Sequence, residues 1–269
     1  MIPNVLTLAG VDPSGGAGTV ADVKAISANG AYACAIIAAL TAQNTSGVSG
    51  IHAVPPDFIR LQVDTLFGDV RIDAVKIGML GGERAIAAVA DRLTHWKAKR
   101  VVLDPVMVAK SGDALLERAA IGALREALLP LATVITPNLP EAGVLLESRP
   151  PDDLKEMRRY AERLRNIMAH EGERWVLLKG GHLTSGDAID LLHDGDRMLE
   201  VAAPRVETKN THGTGCTLSS ALAALLPQTS DVPEAAKRAK AYLTKALAEA
   251  DRLDVGKGHG PVHHFHAYW

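Results

Sequence analysis

Eleven consecutive residues, Asn210-Thr211-His212-Gly213-Thr214-Gly215-Cys216-Thr217-Leu218-Ser219-Ser220, hold the densest chemistry in the chain. They read as a Gly-rich turn running directly into a helix over Cys216 to Leu225. Gly213 and Gly215 reach backbone conformations closed to other residues and leave the amides uncovered. The helix start presents unpaired N–H groups and the positive end of its dipole. Such a corner binds anions, phosphate above all. Cys216 falls in the first turn, where the dipole is expected to lower its pKa and favour thiolate. An anion cradle and a base would then lie side by side. A Gly-containing N-cap followed by a buried cysteine accounts for the same letters without chemistry.

The remaining reactive groups follow short apolar runs. In order they are Gly10 and Asp12, Gln43, Gly78 with Met79, Asp104, Asn138, Lys179 and the Gly-rich corner itself. Ligands of open α/β sheets sit at the carboxyl ends of parallel strands, so these groups are expected on one rim. A carboxylate, an amide, a cation and an anion cradle are the parts phosphoryl transfer needs, because that reaction rests on positioning and electrostatics. Asn138-Leu139-Pro140-Glu141 offers hard oxygen atoms of the kind magnesium prefers. Taken alone, Glu141 is simply an acid in the first turn of a helix, and Lys179 a solvated lysine.

The elements that must carry these groups alternate. Strands are expected at Val5 to Ala9, Tyr32 to Leu40, Ala74 to Ile77, Val101 to Leu103, Thr133 to Thr136 and Trp175 to Leu178. Helical spacing covers Thr19 to Ala28, Pro55-Pro56-Asp57 through Phe67, Ala85 to Trp96, Arg118 to Leu129, Leu139 to Leu146, Leu154 to Met168 and Ala235 to Leu253. Asp153 and Glu156 form a capping-box pattern. Asp12-Pro13-Ser14-Gly15-Gly16-Ala17-Gly18 and Thr41 to Gly47 read as loops. Ala188 to Leu192 and Met198 to Val201 flank Asp194-Gly195-Asp196, a hairpin signal. The alternation predicts an α/β fold with a largely parallel sheet covered by helices on both faces. No repeat, linker or charge block divides the 269 residues, so one domain over 1–269 is expected.

Composition narrows the function classes. Hydrophobic residues make up 47% and aromatics 4%, so Ala, Val, Ile and Leu must fill the core. The net charge of −2 leaves no basic excess for nucleic acid. Neither Cys34 nor Cys216 belongs to a CxxC pair, and Cys34 reads as a small buried hydrophobe. No apolar run approaches the roughly 18 residues of a membrane span, and Met1-Ile2-Pro3-Asn4 lacks a signal-peptide pattern. A cytoplasmic protein is expected. There is no GxxxxGK[ST], no complete Rossmann fingerprint, no GxSxG and no HExxH. The closing Gly258-His259-Gly260-Pro261-Val262-His263-His264-Phe265-His266 is read as a solvated tail rather than a metal site.

Several of these stretches together resemble hydroxymethylpyrimidine/phosphomethylpyrimidine kinase, of the ribokinase-like superfamily. They are Ala9 to Gly18, Leu40 to Thr45, Val75 to Leu80, Asp104-Pro105-Val106-Met107, Ile135 to Ala142, Leu178 to His182, Thr211 to Ser220 and Gly258 to Val262. The resemblance runs from about Val5 to His264 and departs at Thr19-Val20 and Asn29, where it touches packing rather than chemistry. It implies a ribokinase-like three-layer sandwich with a small β-hairpin. It also implies two ATP-dependent phosphorylations in thiamine biosynthesis, of 4-amino-5-hydroxymethyl-2-methylpyrimidine and of its monophosphate.

By the same resemblance Gln43 reads the pyrimidine, Gly10, Asp12 and Met79 line its pocket, and Asp22 reaches it. Gly213, Thr214, Gly215 and Cys216 form the anion hole, with Cys216 as base. Asp104 and Glu141 take magnesium, while Lys179, Asn138 and Thr211 take the nucleotide. A homodimer is implied. Pyridoxal kinase, of the same fold, is the alternative, since both substrates are rings carrying a hydroxymethyl arm.

Overall fold

The structure, a computed structural model, describes residues 1–107, 118–183 and 186–269. The first half runs β1 (Asn4–Val11), α1 (Gly18–Ala28), β2 (Tyr32–Asn44), β3 (Gly47–Ala53), α2 (Pro56–Phe67), β4 (Ala74–Ile77), α3 (Glu83–His95) and β5 (Val101–Leu103). It continues through α4 (Arg118–Ala123), β6 (Val134–Ile135), α5 (Leu139–Leu145), α6 (Leu154–Asn166) and β7 (Trp175–Leu178). The chain closes with β8 (Ala188–His193), β9 (Met198–Ala203), α7 (Thr214–Leu225) and α8 (Val232–Ala248). None of these helices is long and apolar enough to cross a membrane.

All nine strands join one sheet in the order β3-β2-β1-β4-β5-β6-β7-β8-β9. The pairs from β2 through β7 are parallel, and the three outer pairings, β2 with β3, β7 with β8 and β8 with β9, are antiparallel. Parallel strands covered on both faces carry apolar side chains on both, and here they do. Leu6, Leu8, Val75, Ile77 and Leu103 pack on one side, with α2, α3 and α6 over them. Val5, Ala74, Val102, Val134 and Trp175 pack on the other, beneath α7 and α8. Small side chains let α7 lie in the middle of that second layer, with every residue from Thr217 to Leu225 buried. This is the α/β three-layer architecture the alternating pattern predicts.

Three expectations need correction. Thr41 to Asn44 is not a loop: β2 runs on to Asn44 and pairs with β3 in a hairpin. Gln43 therefore stands on a strand, opposite Val48, beside a register shift at Ala42/Gln43. The polar letters hid this strand because the hairpin forms the edge of the sheet and faces solvent, with most of β3 exposed. The histidine-rich end is likewise only partly solvated, with His259 exposed and His266 half-buried. His263 and His264 are buried, and His264 Nε2 lies 3.0 Å from Thr217 Oγ1 on α7. Burial, together with the nearby Lys24 and His263, pushes the His264 pKa down to about 3, so it packs as a neutral ring. The helix expected over Arg118 to Leu129 is α4 followed by a π-helical turn and a 3₁₀ turn to Leu131.

Candidate active site

A cavity of about 450 Å³ opens at the carboxyl ends of the parallel strands. Gly10 near the end of β1, Asp12 just after it, Gln43 on β2 and Met79 after β4 form one wall. Asp104, Asn138, Glu141 and Lys179 form the facing wall. Thr211 and the run Gly213 to Cys216 close the end between them.

The corner at Gly213 has a steric cause. Gly213 takes φ 75°, and a Cβ there would overlap the Gly16 carbonyl oxygen of the first Gly-rich loop. The first intrahelical bond of α7 runs from Thr217 N to Gly213 O at 2.8 Å. The amides of Thr214, Gly215 and Cys216 precede it and point out of the helix end. The two Gly-rich loops are clasped by His212 Nε2 and Asp12 Oδ2 at 2.7 Å, both groups buried. Asp12 also accepts from Ser14 N and Ser14 Oγ at 2.8 and 2.7 Å and from Ala17 N at 3.0 Å. Burial alone would raise its pKa, but these donors hold it below the usual carboxylate range. Its side chain thus shapes the loop that starts α1, while the residue lines the cavity.

The opposite wall is an electrostatic cluster. Lys179 Nζ lies 3.0 Å from Asp104 Oδ1 and 4.0 Å from Glu141 Oε2. Asp104 also accepts from Thr136 Oγ1 at 3.0 Å and Ser219 Oγ at 3.3 Å. Burial works against its charge, yet Lys179 and Lys76 keep Asp104 ionised. Glu141 closes a reciprocal capping box with Asn138: each side chain accepts the other's backbone N–H at 2.8 Å. Burial, and after it the neighbouring Asp104 against the opposing pull of Lys179, pushes the Glu141 pKa up to about 7. Two crowded buried carboxylates accept a cation readily. Among the described residues no group of three or more His, Cys, Asp or Glu could hold a metal. The two carboxylates are of the kind that bind magnesium, which usually takes one or two carboxylates plus ligand phosphates.

On the first wall, Thr41 Oγ1 lies 3.1 Å from Gln43 Oε1 and 2.8 Å from Val11 O. The Gln43 amide is thereby oriented at the cavity edge.

This geometry stands beside clear likenesses. Residues 12–263 match the family model described as phosphomethylpyrimidine kinase. The hydroxymethylpyrimidine/phosphomethylpyrimidine kinase of Salmonella typhimurium is 53% identical, over 99% of this chain and 98% of its own. Pyridoxal kinase of Bacillus subtilis, solved as an ADP complex, superposes with a TM-score of 0.88 at 33% identity over 98% of both chains. Phosphomethylpyrimidine kinase of Clostridium difficile gives a TM-score of 0.79 at 37% identity, over 91% of this chain and 99% of that one. The chain belongs to the phosphomethylpyrimidine kinase family. Its fold is the ribokinase-like one of those kinases.

Two expectations for this kinase change with the structure in view. Asp22 does not reach the cavity. It is fully buried on α1, where it accepts from Thr7 Oγ1 on β1 at 2.6 Å and Ser220 Oγ on α7 at 2.8 Å. Lys76 Nζ of β4 completes the shell at 2.8 and 2.9 Å. A carboxylate so engaged has no reach for a ligand. Nor does the helix dipole make Cys216 a ready thiolate. Burial pushes its pKa up to about 11, and the nearby carboxylates of Asp22 and Asp104 add to this. Lys76 and a hydrogen bond from the Gly18 amide pull the other way and lose.

Lys76 and His212 line the cavity and were missed from sequence. A single cation in the apolar run Ala74-Val75-Lys76-Ile77 was the available signal for the first. Lys76 has 0% exposure and is held protonated by Asp22 against the cost of burial. Breaking one side of a buried pair costs about 3–5 kcal/mol, whereas replacing both by apolar groups is often neutral. Lys76→Met should therefore lose stability on that scale in urea unfolding, and Lys76→Met with Asp22→Leu should recover more than half of it. A single-variant loss under about 1 kcal/mol would show that the pair does not hold the layers together.

Proposed function

We propose that this kinase transfers the γ-phosphoryl group of ATP to 4-amino-5-hydroxymethyl-2-methylpyrimidine, and then a second one to the resulting monophosphate. The observation that carries this reading is the single cavity in which the α7 amides face the Lys179–Asp104–Glu141 cluster, with Gln43 at the other edge. One amide donates and accepts, which suits a ring nitrogen beside an amino group.

The roles we assign are those the family resemblance implies, and the geometry supports them. Lys179, already 3.0 Å from Asp104, meets nucleotide phosphate, with Asn138 and Thr211 beside it. The amides of Thr214 to Cys216 receive the charge that develops on the transferring group. Asp104 and Glu141 would hold magnesium together with ligand phosphates, and the ion would supply neutralisation of phosphate charge there. Cys216 would act in its thiolate form, its own proton released to solvent, and take the proton that the alcohol loses as its oxygen bonds to phosphorus and the bond to ADP breaks. In the second step the acceptor is a phosphate oxygen, already ionised near neutral pH because its second pKa is about 6.

Pyridoxal phosphorylation is the second reading, favoured by the TM-score of 0.88 to a pyridoxal kinase. A substrate panel with magnesium-ATP separates the two. The pyrimidine and its monophosphate should turn over, with kcat/KM above that of pyridoxal; the reverse order installs the second reading. We also propose a homodimer, supported by exposed apolar side chains at Leu40 and Ile51 on the hairpin and Phe58 and Leu61 on α2. A monomer mass in light scattering at micromolar concentration would remove it.

Cys216→Ala divides the two steps. It keeps the backbone amides and deletes the thiol alone. A positioned base contributes roughly 10²–10⁴-fold, so alcohol phosphorylation should fall on that scale while monophosphate phosphorylation changes little. Equal slowing of both would make Cys216 a shaping group of the anion hole.

A further inference from the structure

Asp190 is an acid in the middle of a mostly apolar strand, β8, and is 1% exposed. It stands outside the cavity, and neither reading of the reaction uses it. Its surroundings give it a mechanical task. Strand β7 pairs with β8 through Val176↔His193, Leu177↔Leu192 and Leu178↔Leu191, and there the ladder ends. At the next residue the pairing with β8 stops while the parallel register with β6 is kept. Lys179 N donates to Pro137 O at 2.9 Å, and Lys179 bridges in parallel to Asn138.

Past the end of the β8 ladder the Gly180 amide is buried outside it. Asp190 Oδ1 accepts that amide at 3.0 Å. Close approach requires glycine here, since a Cβ at Gly180 would overlap the Ile189 carbonyl oxygen and sit 3.0 Å from Met157 Cε. The second carboxylate oxygen, Asp190 Oδ2, accepts from Lys240 Nζ of α8 at 2.7 Å. Lys240 is itself 8% exposed. Both oxygens are thus committed, one to the turn and one to a helix in the covering layer. A buried ion pair adds little net stability over apolar packing. A charged acceptor does give a shorter, stronger hydrogen bond to an amide than a neutral one. The arrangement is suited to fixing a backbone position.

We propose that Asp190, anchored by Lys240, is a positioning residue: it sets the point where the chain leaves β7 and so aims Lys179 at Asp104 and the nucleotide phosphates. This rests on the reading of Lys179 as the nucleotide contact. Asp190 touches no reacting atom; it acts through the Gly180 amide.

The test compares two double variants in the full chain, both lacking the buried charges. Lys240→Met with Asp190→Asn keeps an acceptor for Gly180, and Lys240→Met with Asp190→Leu removes it. An unsatisfied buried donor costs about 1–3 kcal/mol, which corresponds to roughly 5- to 150-fold. The Leu variant should raise KM for magnesium-ATP on that scale, with KM for the pyrimidine within about twofold. The Asn variant should stay within about threefold of the parent for both. Should the Leu variant not fold, Asp190→Ser in the same background, its hydroxyl too short to reach, must give the same split.

Amide hydrogen exchange at Gly180 supplies a readout free of catalysis, with protection lost in the Leu or Ser variant and kept with Asn. Unchanged Gly180 exchange in the Leu or Ser variant overturns the proposal, as does an equal rise in both KM values. Lys179→Met is measured alongside. If it leaves KM for magnesium-ATP unaltered, the nucleotide reading of Lys179 fails, while Gly180 exchange still decides whether Asp190 holds the turn.

Discussion

One carboxylate ties four elements together. Asp22 sits on α1 and takes hydrogen bonds from Thr7 on β1, Lys76 on β4 and Ser220 on α7. Hydrophobic burial drives these layers together but is non-directional; it does not say how far α7 slides along the sheet. A fully buried charge with four short contacts does, because each displaced partner leaves a buried polar group unpaired. Ser220 lies one helical turn beyond Cys216, so the network sits one turn beneath the anion-binding end of α7. It also lies under α1, whose Gly18 amide reaches the Cys216 sulfur. Two helix starts therefore converge on one thiol, and the distance between them is set from below by Asp22 and from above by the Asp12–His212 clasp.

Much of this was legible in the sequence. Mostly apolar runs of three to five residues punctuated by glycine and proline located the central strands, since a strand buried on both faces is made largely of apolar letters. The rim residues Gln43, Asp104, Asn138, Glu141, Lys179 and the Gly213–Cys216 corner do share one cavity, because parallel strands deliver their carboxyl ends to the same side. The β2–β3 hairpin was not legible, as Thr41-Ala42-Gln43-Asn44 has the polarity of a loop and its strand character comes from a partner twelve or fewer residues on. Asp22 was misplaced for a related reason. Helical spacing says which face of α1 it occupies, but whether that face looks into the cavity or the core depends on how α1 lies on the sheet.

Cys216 shows why a local rule can name the residue and miss its state. A helix N-terminus favours thiolate when its charge is the main field present. Here the thiol is enclosed by other elements, and the enclosure both removes water and brings two carboxylates, Asp22 and Asp104, near it. Neither is adjacent in sequence, so no reading of the eleven-residue corner contains them. The same distant charges appear on the other side of the account: Lys76 favours the thiolate and is itself kept charged by Asp22.

The cluster on the facing wall carries this reasoning further. Lys179 is tied to Asp104 and lies near Glu141, so the resting site neutralises its own charges. A phosphate anion that approaches Lys179 competes with Asp104 for the ammonium, and a cation that approaches the carboxylates competes with Lys179 for them. Either ligand alone breaks an ion pair and leaves one buried charge with less compensation, which is costly in a desolvated site. Both together replace the internal pair by two new ones. A Glu141 whose pKa stands at about 7 makes the same point from the proton's side: a second negative charge beside Asp104 is barely tolerated until something positive joins it. The site is therefore built to favour the cation and the phosphate arriving as a unit, and the coupling resides in the few ångströms between Lys179, Asp104 and Glu141.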